Sequence, residues 1–271
     1  MKTLANHVIL FDEECPMCHL YTKAFTQTGM LPENGRKAYQ NMPHEICSLV
    51  DKQRAVNEIA LVNTATGEVK YGIHSLFSII GNAMPVFKPL FGFRPFIWLM
   101  SKVYAFISYN RKVIIPAEVK ADQIQPTFKL RYRLAYLFFT CLITAYILTN
   151  YAHLLTSFVP LGHTYREYLI CGGQVFFQGI VISFYKKDQL WAYLGNMMTI
   201  SFAGALLLLP ALLIGKYFTI HPIFFLGYFL STAGLMLLEH LRRSKILKLG
   251  YVLSITWVIY RLIVLGLIFS I

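Results

Sequence analysis

One stretch decides how the chain begins to fold, and it reads Val8-Ile9-Leu10-Phe11-Asp12-Glu13-Glu14-Cys15-Pro16-Met17-Cys18. Its first four residues are apolar and predict a buried strand. From residue 15 to residue 28 apolar side chains recur at helical spacing, and Gly29 supplies the stop expected of a helix. Cys15 would therefore stand at the N-terminus of a helix, where unpaired N–H groups favour a thiolate. Because Cys18 follows one turn later, close enough to form a disulfide, the pattern predicts a dithiol redox site.

Charge is distributed unevenly along the 271 residues, whose net charge is +12. Residues 1–125 hold 13 Lys and Arg against 10 Asp and Glu, whereas residues 126–271 hold 12 against 3. The second part is dominated by long apolar runs, so its basic excess indicates membrane topology and excludes nucleic-acid binding. We therefore expect the lipid bilayer as a partner, with a domain at 1–125 and a transmembrane helical domain at 126–271.

About five apolar runs approach or exceed the length that crosses ~30 Å of hydrocarbon. They cover residues 134–154, 168–185, 190–215, 217–238 and 249–269. Nine basic residues lie in the connectors on one side and two on the other. The nine are Lys129, Arg131, Arg133, Lys186, Lys187, Arg242, Arg243, Lys245 and Lys248, and the two are Arg166 and Lys216. The positive-inside rule then predicts a multi-pass protein of a bacterial-type inner (plasma) membrane, with its N-terminal domain in the cytoplasm and its C-terminus outside.

The same two cysteines permit two other chemistries. Together with His44 and Cys47, Cys15 and Cys18 would form a Cys₃His zinc site. Residues 15–19 also read Cys-Pro-Met-Cys-His, which satisfies the C-x-x-C-H pattern of covalent haem attachment. Haem is attached outside the cytoplasm, whereas the connector charges predict that this segment lies inside. We therefore expect a dithiol without a cofactor, and zinc binding is the alternative.

The first 125 residues show the order of elements of a thioredoxin-like α/β sandwich. The patterns predict a strand at 7–11, a helix at 15–28, a strand at 36–41, a helix at 43–54, strands at 58–63 and 68–71, and a helix at 73–80. Turn residues at 64–67 predict that the last two strands form a hairpin. Residues 83–115 are apolar and aromatic but are interrupted by prolines and basic residues. This mixture predicts interfacial helices lying against the bilayer, or else helices packed on the domain core.

Two motifs resemble those of a known family. Asp12, Cys15 and Cys18 match the D-x-x-C-x-x-C motif of the DCC-type thiol-disulfide oxidoreductases directly behind an apolar strand. The later segment ending in Tyr109-Asn110-Arg111 resembles the tyrosine followed by Asn-Arg of the same family. The resemblance covers about residues 6–115. It implies a thioredoxin-like fold and thiol-disulfide exchange of the protein-disulfide reductase type.

The resemblance also implies roles for the motif residues. Cys15 would be the nucleophile and Cys18 the resolving thiol, with Asp12 as a further catalytic residue and a thiol or disulfide protein, or a small thiol, as partner. We expect Tyr21 and Phe25 to cover Cys18 while Cys15 stays exposed. The rival hypothesis is a non-enzymatic membrane protein whose cytoplasmic domain binds zinc or senses redox state.

Charges near the motif lead to two more expectations. The carboxylates at positions 12 to 14 should oppose a thiolate on Cys15 and limit the lowering of its pKa. Asn110 and Arg111 would end an interfacial helix or orient the domain on the bilayer.

Arg261 is the only strongly charged residue deep inside a predicted span. It follows Lys248 by 13 residues, or about 20 Å into the hydrocarbon. A buried charge needs partners, and Gln174 and Gln178 should reach a similar depth, with Ser201 nearby. Arg261 and these polar side chains would together bind a quinone oxygen or an anionic lipid head, or else Arg261 would snorkel to the outer headgroups.

Overall fold

The chain separates into two compact units, Met1–Tyr132 and Arg133–Ile271. The structure, a computed structural model, describes residues 2–41, 48–116 and 124–270. The division falls a few residues beyond the expected boundary at 125, inside the first turn of the first long apolar helix. The first unit contains a four-stranded sheet, and the second is helical.

The sheet is built around the strand that precedes the cysteines. Its strands are β1 (His7–Phe11), β2 (Arg36–Ala38), β3 (Ala60–Asn63) and β4 (Val69–Tyr71), and their order is β2-β1-β3-β4. β1 runs parallel to β2 and antiparallel to β3, and β3 pairs antiparallel with β4. The predicted hairpin is confirmed, and Gly67 takes a positive φ of 75° in its turn, where other residues would be strained.

Three helices cover the two faces of this sheet: α1 (Pro16–Gln27), α2 (Lys52–Asn57) and α3 (Ile73–Ala83). Side chains alternate across a strand, so neighbouring residues of β1 enter different cores. Ile9 packs with Ile79 of α3, whereas Leu10 packs with Ala55 of α2. Of the helix predicted at 43–54, residues 43–47 lie outside the described residues, and the described helix begins after Asp51, whose carboxylate accepts the N–H of Arg54 at 2.9 Å.

Residues after α3 form a bent pair of helices. A 3₁₀ turn at Pro85–Phe87 leads into α4 (Lys88–Gly92), and α5 (Arg94–Ile114) follows at 91° to that first part. The bend falls at Phe93, whose backbone is extended, and Pro95 lies in the first turn of α5, where its missing N–H leaves no helical hydrogen bond unmade. Trp98 is 65% exposed, while Ser108 and Arg111 near the other end of α5 are buried. The C-terminal half of α5 thus packs on its unit, and contact of its exposed half with a bilayer stays a prediction.

Five helices of the described chain are long and apolar enough to cross a membrane, as predicted, and the bent pair α4–α5 would make a sixth if it counted as one span. They are α6 (Leu130–Ala152), α7 (Arg166–Tyr185), α8 (Leu190–Tyr217), α9 (Pro222–Ile246) and α10 (Val252–Ser270). α9 starts and ends later than expected, so Arg242 and Arg243 belong to its last turns and not to a connector. α10 starts later too, at Val252.

Polar contacts join these helices inside their unit. Tyr136 and Thr199 share a hydrogen bond of 2.7 Å between α6 and α8. The hydroxyl of Tyr193 on α8 meets the His240 ring of α9 at 3.2 Å. Large apolar side chains such as Phe184 point outward and are exposed, which suits a helix surrounded by lipid because its backbone polar groups are satisfied internally.

Candidate functional site

The sulfur of Cys15 caps the helix that carries both cysteines. Cys15 is the extended N-cap residue of α1, with φ −95° and ψ 105°, and Pro16 occupies the first helical position. The backbone N–H of Cys18 donates to the Cys15 sulfur at 3.4 Å. The first N–H groups of a helix have no partner within it, so the sulfur meets a group that favours negative charge. The predicted position of the cysteines at a strand-to-helix junction is confirmed.

A buried ion pair lies beside the cysteines and joins two residues that are far apart in the sequence. Nη2 of Arg111, from α5, donates to Oδ2 of Asp12 at 2.9 Å and to the carbonyl of Val56 at 2.7 Å. Both side chains are buried. The other carboxylate oxygen, Oδ1 of Asp12, accepts from Gln40 at 3.0 Å and from the N–H of Glu14 at 3.1 Å. The carboxylate is therefore fully engaged, and its charge is matched by a cation.

The two cysteines titrate in opposite directions. The pKa of Cys15 falls from its ordinary 9.0 to about 6, chiefly because the Cys18 thiol donates a hydrogen bond to its sulfur. Burial opposes this lowering, and the positive charge of Arg111 adds to it. The pKa of Cys18 is raised well above its ordinary value by its hydrogen bond to Cys15 and by burial. At neutral pH the pair therefore holds one proton, with the thiolate on Cys15 and the thiol on Cys18.

Both sulfurs lie in a small buried pocket, so the expected exposure of Cys15 is wrong. Cys15 is 6% exposed and Cys18 3%, because Phe11 at the end of β1 packs against them. Tyr21 covers Cys18 as predicted, and its hydroxyl donates a hydrogen bond to that sulfur. Phe25 instead packs in the sheet core and stacks edge-on against Tyr21, with ring centroids 6.2 Å apart.

Two electrostatic expectations are corrected. Glu13 and Glu14 are not among the main influences on the pKa of Cys15, and Asp12 is the weakest of those influences. The reason is that Arg111 compensates the Asp12 carboxylate. Arg111 itself neither ends its helix at a lipid surface nor faces outward, because it points into this pocket. One signal could have revealed this contact: a carboxylate directly behind a buried strand needs a cationic partner.

Part of the alternative zinc site lies outside the described residues. His44 and Cys47 both belong to the segment 42–47. Elsewhere in the described chain, no group of three or more His, Cys, Asp or Glu side chains could hold a metal ion. Cys15 and Cys18 are both free thiols in this structure.

The residues predicted to surround Arg261 of α10 lie on α7 and α8. Gln178 donates to the carbonyl of Leu253 at 3.4 Å and accepts from Thr256 at 3.2 Å. The guanidinium of Arg261 stands 5.3 Å from the centroid of the Trp257 ring. Ser201 is buried on α8, and no described hydrogen bond joins it to Arg261. The predicted surroundings of Arg261 stay a prediction, and Trp257 is a neighbour of Arg261 that the sequence patterns did not reveal.

Comparisons with known proteins do not assign the chain to a family. No protein-family model, curated protein or solved structure matches the chain. The likeness to DCC-type oxidoreductases therefore depends on two short motifs.

Proposed function

We propose that the chain is a membrane-anchored thiol-disulfide oxidoreductase that uses Cys15 as its nucleophile and Cys18 as its resolving thiol. The observation that carries the proposal is the Cys15 sulfur at the start of α1, hydrogen-bonded by Cys18, with its pKa lowered to about 6. A thiolate at neutral pH is the nucleophile that disulfide exchange requires.

The arrangement of the first unit supports the proposal. A strand order β2-β1-β3-β4 with a parallel β1–β2 pair, and a helix carrying the cysteines directly after β1, suit a thioredoxin-like domain. The same placement is what the likeness to DCC-type proteins implies. Since fold alone does not define activity, the thiol chemistry carries the argument.

The exchange would proceed in two displacements. The Cys15 thiolate attacks one sulfur of a partner disulfide, a mixed disulfide forms, and the partner's other sulfur leaves as a thiolate that takes the proton of Cys18. The Cys18 thiolate then attacks the Cys15 sulfur, and the partner's second thiolate leaves and is protonated by water. The partner gains two electrons and two protons, and the Cys15–Cys18 disulfide returns to the dithiol by exchange with an external thiol.

Asp12 and Arg111 act as positioning residues in this scheme. Asp12 holds the guanidinium in the pocket at 2.9 Å, and the positive charge lowers the pKa of both cysteines. The raised pKa of Cys18 keeps it a thiol until Cys15 has reacted, so that its attack follows the first displacement and does not compete with it.

The connector charges support a cytoplasmic first unit in a bacterial-type inner membrane. Reporter fusions test this orientation. Fusions after Ile124 and after Ser244 should report cytoplasm, and a fusion at Leu161 should report the outside. A cytoplasmic signal at Leu161 would contradict the orientation.

Trapping tests the activity. In membranes containing the full chain with Cys18→Ser, Cys15 should remain disulfide-linked to its partner, because the resolving thiol is missing. The linked species should disappear on reduction and in a matched Cys15→Ser chain, and intact mass would identify a small thiol. If the Cys18→Ser and Cys15→Ser chains formed the disulfide-linked species in equal amounts, the proposal would be overturned.

Metal content distinguishes the rival hypothesis. One zinc ion per purified chain that is lost on Cys47→Ser, together with no trapped species, would favour a zinc-binding domain. A metal-free chain that forms the mixed disulfide would favour the oxidoreductase.

A further inference from the structure

Arg261 lies at the middle of its helix. α10 begins at Val252, so nine helical residues precede Arg261 and nine follow it. At about 1.5 Å per residue, each end of the helix is about 14 Å away. Snorkelling over that distance exceeds the reach of an arginine side chain, so this charge must find its partners inside the bundle.

Three polar side chains near this level have atoms without partners in the described chain. Gln174 is 1% exposed, and neither its Oε1 nor its Nε2 has a hydrogen-bond partner. Nε1 of Trp257, a residue 6% exposed, and Nε of Arg261 also lack one. Buried polar groups are nearly always hydrogen-bonded, so three such side chains on two packed helices are unusual. We call Gln174, Trp257 and Arg261 the Arg261 cluster.

The register of α7 against α10 places Gln174 at the level of Trp257, with Arg261 one turn further along α10. The two helices are joined by the Gln178–Leu253 bond toward one end and by the Tyr260 hydroxyl, which donates to the carbonyl of Ile170 at 2.9 Å, toward the other. Gln174 lies one turn from Gln178, between these two contacts, and Trp257 lies one turn from Leu253.

The other titratable side chains near the cluster do not pair with Arg261. Cys171, one turn from Gln174, and Glu167 are both within electrostatic range of Arg261. The Glu167 carboxylate, however, is bonded to Arg166 at 2.8 Å. No carboxylate of the described chain forms an ion pair with Arg261 itself.

We propose that the Arg261 cluster binds the ring oxygens of a lipid-soluble carbonyl compound of the quinone class. The guanidinium, the indole N–H and the amide N–H are donors, which suit a carbonyl oxygen, and the amide oxygen accepts from the hydroxyl of a reduced ring. The Trp257 ring, which is stacked on His240, stands 5.3 Å from the Arg261 guanidinium and helps to hold it in place. A phospholipid headgroup stays at the membrane surface, about 14 Å from this level, whereas a quinone ring enters the hydrocarbon.

A partly apolar cavity near the cluster would hold the tail of such a molecule. The cavity measures about 570 Å³ and is lined by apolar residues of α7 and α10 (Leu169, Ile170, Val264, Leu267 and Ile268) and by residues 160–163 and Arg166. It also reaches Tyr260, the residue before Arg261. Sites for small ligands are mostly apolar, with a few convergent polar groups that fix orientation.

Fluorescence titration with decylubiquinone tests the site in the purified full chain in detergent micelles. Saturable quenching is expected, and Trp257→Phe should remove most of it, because Trp257 stands beside Arg261 whereas Trp98 lies on α5 and Trp191 at the start of α8. Arg261→Gln should weaken the apparent affinity about tenfold or more, and Gln174→Leu about threefold to tenfold. Matched controls are Arg242→Gln, an exposed arginine, and Gln189→Leu, and both should bind like the parent chain.

The outcomes separate a ligand site from a structural cluster. Gln174→Leu should fold, since leucine replaces an amide whose two polar atoms have no described partner. Non-saturable quenching in the parent chain, or unchanged affinity in both cluster variants, would overturn the proposal. So would displacement of decylubiquinone by stoichiometric phosphatidylglycerol, which would assign the cluster to lipid. Trapping at Cys15 does not depend on Arg261, so failure of this test leaves the oxidoreductase proposal intact.

Discussion

Two arginines with a buried Nε atom, one in each unit, meet opposite surroundings. Arg111 is bonded to the Asp12 carboxylate at 2.9 Å and to a backbone carbonyl at 2.7 Å. Arg261 has no carboxylate bonded to it within the described chain and stands over the Trp257 ring. The Nε atom has no described partner in either arginine. The two arginines therefore differ in whether a carboxylate compensates the charge.

The comparison teaches what a buried charge does in each setting. A compensated cation fixes its neighbours, because removal of either partner leaves an unpaired charge. Arg111 therefore defines the thiol pocket and the position of α5 against the sheet. An uncompensated cation is costly to its own fold, and a protein that retains one has a use for it. Replacement of Arg111 should therefore lower the stability of the first unit, whereas replacement of Arg261 should raise the stability of the second.

The largest effect is expected from Arg111→Met. The substitution leaves the Asp12 carboxylate buried without a cation, which should destabilise the first unit by about 3–5 kcal/mol. Urea unfolding of that unit, followed by pulse proteolysis of the full chain in micelles, measures the change. Arg54→Met is the matched control, since Arg54 is 55% exposed, pairs with Glu58 at 3.9 Å and lies over the Tyr71 ring, and it should cost only about 1 kcal/mol.

A double variant completes this test. Asp12→Leu together with Arg111→Met removes both charges and should recover most of the lost stability. If the double variant were as unstable as Arg111→Met alone, the ion pair would not be the cause.

The next effect concerns the pH dependence of Cys15. Only the thiolate reacts, and the pKa of Cys15 is lowered to about 6. The rate of alkylation by iodoacetamide should therefore be half-maximal near pH 6 and should stop rising above about pH 7. An unperturbed cysteine, with a pKa of 9.0, would still gain reactivity at pH 9. Peptide mapping of the alkylated chain should find Cys15 modified and Cys18 protected.

Two variants assign the cause. In Asp12→Leu with Arg111→Met the midpoint should move to higher pH, because Arg111 lowers the pKa of Cys15 more than Asp12 raises it. Glu14→Gln should leave the midpoint unchanged. A midpoint that shifts with Glu14 but not with Arg111 would show that the unpaired carboxylates control this thiol.

Local patterns were enough to predict much of this molecule. The strand before Cys15, the helix that it caps and the hairpin at Gly67 all depend on neighbouring residues, and each is present. Five long apolar helices followed from length and hydropathy alone. Features of this kind are determined within about twenty residues of sequence.

The contacts that define the sites could not be predicted in the same way. Asp12 and Arg111 are 99 residues apart, and their meeting depends on the path that α5 takes back to the sheet. The burial of Cys15 depends likewise on Phe11 and on the packing of the strand ends. The central depth of Arg261 depended on where α10 begins, which is the least certain property of a helix read from sequence.

The smallest effect, and the one that decides the comparison, is expected from Arg261→Met. Methionine removes an uncompensated charge and keeps most of the side-chain volume, so it should raise the stability of the helical unit by about 1 kcal/mol after the loss of the contact with Trp257. Thermal unfolding in micelles without added quinone measures this. Arg243 is the matched control in the same unit, because it is buried but bonded to Glu239 at 2.7 Å and to Asn196 at 3.0 Å. Arg243→Met should lower the melting temperature, just as Arg111→Met is expected to destabilise the first unit. If Arg261→Met lowered it by as much as Arg243→Met, Arg261 would have partners of equal strength, and the two arginines would serve the same structural purpose.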